Sequence, residues 1–281
     1  MTTLAQPVSL DPSVAFWLEM AEALAYADAY AAAAAQPGNT AGAESTRIRA
    51  ATAIAVTAID FGFFNRVIGL GMAEPAEEAD VEAASSFFLE RNRAQSVIHV
   101  APRAEPLDLD GWLETRGYIR GARWAKLWHA LVNVDPPDRG YHIERIDDTL
   151  ATTFADVSYT AFGVPPILFD IASSTVGRPG WAHYIGYEDD LPVATGAMRL
   201  QSGVAWFGFG ATLEAHRGVG WQTAMLQRRL HDAREIGAWL AVSETGEETV
   251  QHPVNHSYRN MLRTGFEPAY ARQNWVRLPA G

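Results

Sequence analysis

The sequence predicts an α+β protein made of two related halves. Three observations carry that prediction. Segments with strand and helix patterns follow one another along the whole chain, one local pattern recurs near the end of each half, and a breaker-rich segment separates the two. The recurring pattern is Leu113, Gly117 and Tyr118 against Leu262, Gly265 and Phe266. Each copy follows a short apolar stretch (97–100 and 239–242) and precedes a tryptophan-containing strand, the order a duplication leaves. Pro136, Pro137 and Gly140 disfavour helix and strand alike, so the domains are drawn as 1–134 and 141–281 around a linker at 135–140.

In the first half, residues 12–35 are alanine-rich, with Phe16, Trp17, Met20 and Leu24 at helical spacing. They read as an amphipathic helix, broken at 36–40 by Pro37 and Gly38. Residues 48–59 alternate and are β-branched, so they read as a strand, and 65–71 as a second. A helix over 81–92 and a short buried strand at 97–100 follow. Residues 112–116 end a helix at Gly117, and 124–134 form the last strand of this half.

In the second half, 143–146 is a strand, and 149–162 and 165–174 are helices. Strands at 182–188 and 193–200 are joined by an acidic turn at Glu188, Asp189 and Asp190, and 204–209 is a third. A long helix over 219–236 is closed by Gly237, and 239–243 is a strand. A helix over 257–264 ends at Gly265, and 273–278 is the closing strand.

Composition bounds the function. Hydrophobic residues make up 48% of the 281 and aromatics 11%, enough for a large core. The absence of cysteine excludes disulfides, thiolate metal sites and a cysteine nucleophile. With a start that lacks a basic-then-apolar pattern, it fits a cytoplasmic protein. No apolar run is long enough to span a bilayer, so no membrane partner is expected. The net charge of −11 repels phosphate backbones, so neither is nucleic acid, while a cationic amine is compatible. Histidines and carboxylates show no metal spacing, so no metal is expected. Lys126 is the single lysine; with the abundant alanine it points to a GC-rich genome and not to a mechanism.

The strongest local signal is a strand running into a glycine-bearing turn at 210–220, followed by the long helix. Gly218 and Gly220 let the backbone approach a ligand closely. The helix start offers unpaired amides and a positive dipole end, which suits a diphosphate, and Arg217 adds charge at the rim. A plain strand–turn–helix corner would show the same glycines.

Arg217, Gly218, Val219, Gly220, Trp221 and Gln222 resemble the pyrophosphate motif of the GNAT N-acetyltransferase superfamily. Gln222 departs from the family's small residue there, although its amide remains available. Asn255, Ser257 and the Gly265–Phe266 pair resemble the family's later signature, so the resemblance covers 141–281. It implies twisted mixed sheets flanked by helices, in tandem form, with the fourth and fifth strands of the working half splayed at a bulge. It also implies that acetyl-CoA donates an acyl group to a primary amine. By position, Gly210, Ala211 and Thr212 would meet the pantetheine arm, residues 217–223, including Thr223, the diphosphate, and Asn255 either. The thioester oxygen would take a donor near Ala211.

Amine attack requires a neutral amine and hence a proton acceptor. Glu244, after the fifth strand of that half, is the expected base, unless it is a solvated charge in a run with Glu247 and Glu248. His183 and His256 are weaker options. Many GNAT enzymes protonate the leaving thiolate with a tyrosine in the last helix; Met261 stands there, and Tyr258, one turn earlier, is the expected replacement. Phe162, Phe169, Trp181 and Tyr184 either line an apolar acceptor site or belong to the core.

The first half keeps a strand but then carries Glu74, Glu77, Glu78, Asp80 and Glu82 where a diphosphate would sit. It reads as a degenerate GNAT-like domain that binds no CoA and walls the acceptor pocket, as in tandem members with one weakened half. The acceptor is expected to be a small-molecule amine, with a protein or peptide amine or a non-catalytic acyl-CoA sensor as alternatives. A monomer or homodimer is expected.

Overall fold

A computed structural model describes residues 11–279. The first ten residues, read as lacking a secretory pattern, lie outside the described part. The first half contains α1 (Pro12–Ala34), β1 (Glu44–Ile48), β2 (Ala51–Ala55), β3 (Arg66–Ile68), α2 (Glu78–Leu89), β4 (Ser96–Val100), α3 (Leu109–Thr115) and β5 (Ile119–His129). The second contains β6 (His142–Ile146), α4 (Ala151–Phe162), α5 (Asp170–Ser173), β7 (Trp181–Glu188), β8 (Leu191–Gln201) and β9 (Val204–Thr212). It continues with α6 (Trp221–Glu235), β10 (Leu240–Gly246), α7 (His256–Arg263) and β11 (Glu267–Arg277).

The strands form one mixed sheet in the order β1-β2-β3-β4-β11-β5-β10-β9-β8-β7-β6. Only β3–β4 and β9–β10 pair in parallel. The two halves exchange their last strands: β11 lies against β4, and β5 lies against β10. Residues 135–140 carry no strand or helix. The recurring sequence pattern is a shared helix stop. The amides of Tyr118 and Phe266 reach back to Leu113 O and Met261 O at 3.1 and 3.0 Å, across Gly117 and Gly265 in left-handed conformation. In space Leu113 therefore matches Met261, one residue before the Leu262 suggested by the sequence.

Side chains alternate across the sheet. Trp206 and Val242 join a core under α1 and α4, whereas Phe207 and Ala241 join one under α6. A third cluster under α2 includes Val67, Ile98 and Trp275.

In the first half four expectations change; in the second, the closing strand expected at 273–278 begins already at Glu267, and the helix expected at 165–174 is a 3-10 turn at Pro166–Leu168 followed by the short α5. Helix α1 is not amphipathic: it is buried nearly all round, including Glu19 and Glu22, and lies over β2, β3, β5 and β9. The strand expected at 48–59 is the turn and second strand of a hairpin that begins at Glu44 and ends at Ala55, because Arg49 takes φ 51° and Ile48 pairs with Ala51. The strand expected at 65–71 stops at Ile68, since Gly69 turns at φ 84°. The strand expected at 124–134 starts at Ile119, where it pairs with β11, and ends at His129, before Leu131 and Asn133 at positive φ.

Candidate active site

Strands β9 and β10 pair only from Val204–Leu240 to Trp206–Val242, then separate. A bulge explains the divergence. Between the pairs Ala197–Gly208 and Thr195–Ala211, Phe209 and Gly210 oppose the single residue Gly196. Phe209 adopts φ 50°, and its carbonyl accepts the Thr195 hydroxyl at 3.0 Å. A fully buried Arg229 from α6 props the bulge, donating to Ala197 O and Gly208 O at 3.0 and 3.2 Å; burial pushes its pKa down to about 10. Sequence reasoning missed Arg229; its only signal was an arginine on the apolar side of a helix.

One end of the gap meets the start of α6. Among the described residues, the amides of Gly218 to Thr223 have no acceptor. Gly220 caps the helix at φ 100°, and a Cβ there would lie 2.1 Å from the Tyr141 hydroxyl, which itself donates to Val219 O. Tyr141 thus fixes the shape of the turn. Arg217 is tied to Thr212 O and to Ala161 O at the end of α4.

A cavity of about 1660 Å³ runs from this turn along Gly210, Ala211 and Thr212, through the gap, to Glu244. The structure brings these residues together with Gly220, Trp221, Gln222, Thr223 and Asn255. The polar atoms of Asn255 are engaged in scaffolding: Oδ1 accepts the Tyr258 amide at 3.1 Å, and Nδ2 donates to Gly246 O at 2.7 Å. Gln222 donates to the Ser257 hydroxyl at 2.9 Å, joining α6 to α7. Tyr258 is not brought to the cavity; it packs beside the α6 core, while Met261 lines the wall.

Glu244 is not a solvated charge. Its side chain is 7% exposed, and its carboxylate accepts Lys126 Nζ at 3.0 Å and Trp206 Nε1 at 3.2 Å. Burial, then the nearby charge of Glu22, pushes its pKa above the ordinary carboxylate value, against the pull of Lys126. Glu247 and Glu248 are occupied by Arg123 and Arg259. His183 is buried and hydrogen-bonded to Thr175 at 2.9 Å, and burial lowers its pKa to about 3. His256 lines the cavity at the start of α7.

Beneath α1, a row of polar side chains crosses the sheet: Arg66, His99, Arg272, Lys126 and Glu244 on β3, β4, β11, β5 and β10. Glu22 faces it, 2.6 Å from Arg272 and 2.7 Å from Lys126, and Glu19 lies 2.7 Å from Arg272. Burial opposes charge on Glu22, but Arg272 and Lys126 outweigh it and hold its pKa well below the usual range. Lys126, given no role from sequence, is the centre of this network. Its signal was the chain's one lysine, set in the apolar run Trp124-Ala125-Lys126-Leu127-Trp128.

In the first half the parallel strands β3 and β4 pair at Arg66–Val97 and Val67–Ile98. Glu105 accepts the Ala76 amide at 2.7 Å and donates to Gly71 O at 2.9 Å, closing the loops beyond β3 and β4. The acidic residues there are not a bare anionic field. Arg49 pairs with Glu74 and Glu77 at 3.1 and 2.6 Å, and Arg116 pairs with Glu78 and Glu82 at 3.2 and 2.9 Å.

Of the four aromatics read as acceptor-site or core residues, Phe162 lines the cavity. Phe169, Trp181 and Tyr184 pack in the cores. Among the described residues there is no cluster of three His, Asp or Glu side chains able to hold a metal ion, and no helix is long and apolar enough to cross a membrane.

No family model and no curated protein matches the chain. Solved structures do. A GCN5-related N-acetyltransferase from Kribbella flavida is 20% identical, with 90% of this chain and 96% of that one covered at a TM-score of 0.61. A GCN5-related N-acetyltransferase from Sphaerobacter thermophilus is 14% identical, covering 96% and 95% at 0.57. A tandem GNAT protein from the clavulanic acid biosynthesis pathway is 16% identical, covering 98% of both chains at 0.56. The chain therefore has the fold of the GNAT acetyltransferases, in its tandem form.

Proposed function

We propose that this protein is an acyl-CoA-dependent N-acyltransferase, with acetyl-CoA as donor and the primary amine of a small molecule as acceptor. The observation that carries the reading is the single cavity joining the unpaired amides of the α6 turn to the buried carboxylate of Glu244 through the β9–β10 gap. The amides of Gly218 to Thr223 would hold the diphosphate, and β9 from Gly210 to Thr212 would run beside the pantetheine arm. Glu244 would take the proton from the incoming ammonium, a task suited to a carboxylate whose pKa lies above the ordinary value. The neutral amine then forms the C–N bond as the C–S bond breaks, and the acylated nitrogen gives up its remaining extra proton to solvent. The thiolate takes a proton from solvent; a free thiol ionises near pH 8.5, roughly, so it leaves without a dedicated acid.

A second reading, a non-catalytic acyl-CoA sensor, is favoured by Met261 at the wall and by Tyr258 outside the cavity. Calorimetry with acetyl-CoA, followed by measurement of CoA release with a panel of amines and short peptides, separates the two. Binding with release supports the enzyme, binding without release across the panel favours the sensor, and no binding at millimolar acetyl-CoA sinks both.

A further inference from the structure

The second half does not close the cavity by itself. Beyond Glu244 the walls include Tyr26 and Tyr30 from α1, Phe61 and Phe63 from the turn before β3, and Trp124 from β5. Tyr159, Trp206 and Phe209 face them from the second half. Phe63 lies 5.6 Å from Trp124 and stacks on Phe61 at 6.5 Å. Phe61 and Phe63 are 54% and 36% exposed, two large touching rings left open on the cavity side.

Charge narrows what such a chamber can hold. Arg66 covers one face of Tyr26 and of Phe63, with its guanidinium carbon 4.3 and 4.5 Å from the ring centroids. It is 1% exposed, and none of its nitrogens is hydrogen-bonded among the described residues. These rings already hold a cation, so they are unsuited to caging an ammonium on their other face. Beyond Glu244 an acceptor carboxylate would find no free cation at the wall, since Arg66 lies behind the rings and Arg123 is bound to Glu247 by two bonds of 2.8 Å; Arg217, Arg229 and Arg263 also line the cavity, but on the α6 turn, α6 and α7. A polyamine would meet one cavity carboxylate, Glu244, that is not committed to an arginine. A sugar would strand most of its hydroxyls against carbon. Free polar groups are few there: the Tyr159 hydroxyl takes part in no hydrogen bond among the described residues.

We infer that the first half is the specificity half, and that its chamber selects a monoamine carried on an aromatic or comparably apolar ring. The ring sits among Tyr26, Phe63 and Trp124, and the amine points to Glu244. This rests on the transferase reading above and names the acceptor class for the same site.

The test uses the full chain. CoA release from acetyl-CoA is measured with phenethylamine, cyclohexylmethylamine, spermidine and glucosamine, and phenethylamine binding is measured by calorimetry with and without CoA. The ring amines should exceed the other two in kcat/KM by roughly 100-fold or more. Phe63→Ala and Trp124→Ala should each raise the phenethylamine KM about 10-fold, by loss of buried ring contact, with acetyl-CoA affinity unchanged. Phe63→Leu, which keeps apolar bulk, should lose less. Preference for spermidine or glucosamine would overturn the inference and leave the transferase standing. So would a CoA-bound chain that neither binds nor consumes either ring amine. Failure to bind acetyl-CoA would instead strike the transferase reading, while phenethylamine binding to the unliganded chain would still support the chamber.

Discussion

Lys126 Nζ lies 3.0 Å from Glu244 Oε2 and 2.7 Å from Glu22 Oε2, so one ammonium from β5 links the cavity carboxylate to the helix buried over the sheet. The strand exchange creates this link. Lys126 belongs to the first half by sequence but stands opposite Glu244 in the register of β5 with β10. The candidate base is thus held by residues of both halves.

Removing Lys126 should be costly. Lys126→Met leaves Glu22 and Glu244 buried without their shared cation, and loss of one member of a buried ionic network costs about 3–5 kcal/mol. Chemical denaturation checks this. Pairing the change with Glu22→Gln should recover part of the loss, since Arg272 keeps Glu19 at 2.7 Å. Equal losses in the single and double variants would show that the lysine charge is not what matters.

Glu244→Gln should lower turnover by roughly 100-fold or more at neutral pH, the range usual for a general base. The sign of the pH dependence follows from the base role. Glu244 must be ionised to accept a proton, so wild-type activity should rise with pH through a pKa above the ordinary glutamate value. The variant should lack that limb and recover at alkaline pH, as the free amine itself becomes neutral. A pH–rate profile of the variant parallel to wild type would remove Glu244 from the chemistry.

Tyr258→Phe should keep near-wild-type turnover and acetyl-CoA affinity. The hydroxyl has no hydrogen-bond partner among the described residues, and the ring packs beside the α6 core rather than lining the cavity. A fall of about 100-fold in kcat, the size expected for a general acid, would place this tyrosine at the leaving thiolate after all.

Gly220→Asp should abolish acetyl-CoA binding in calorimetry. Position 220 needs φ near 100°, a Cβ would strike the Tyr141 hydroxyl, and the new carboxylate would face the amides that await the diphosphate. Tyr141→Phe, which removes only the bond to Val219 O, should weaken binding modestly. Undiminished affinity in Gly220→Asp would put the donor elsewhere.

One acetyl-CoA should bind per chain, and it should raise the melting temperature, because it binds only the folded chain. Backbone bonds among Gly71, Ala76 and Glu105 join the loops beyond β3 and β4 in the first half. A stoichiometry of two would contradict that closure.

Local rules suffice for what the sequence determined alone. Glycines at 218 and 220 before a long helix, and Gly117 and Gly265 after short ones, mark turns whose geometry depends on a few neighbouring residues. The α6 turn, the helix stops and most second-half strands were therefore legible. Glu244 was legible as a carboxylate beside the fifth strand of its half, although β10 runs on to Gly246 and places it inside. What only the tertiary structure decided depends on contacts far apart in sequence. The exchange of β5 and β11 sets Lys126 beside Glu244, 118 residues away, and Arg272 beside Glu22, 250 residues away. It also sets Phe63 and Trp124 around a cavity whose cradle lies in the other half. Burial made the difference in each case: an isolated Lys126 or Arg66 in the sequence looks like a surface charge, and only enclosure by α1 and the aromatic rings makes it part of a site.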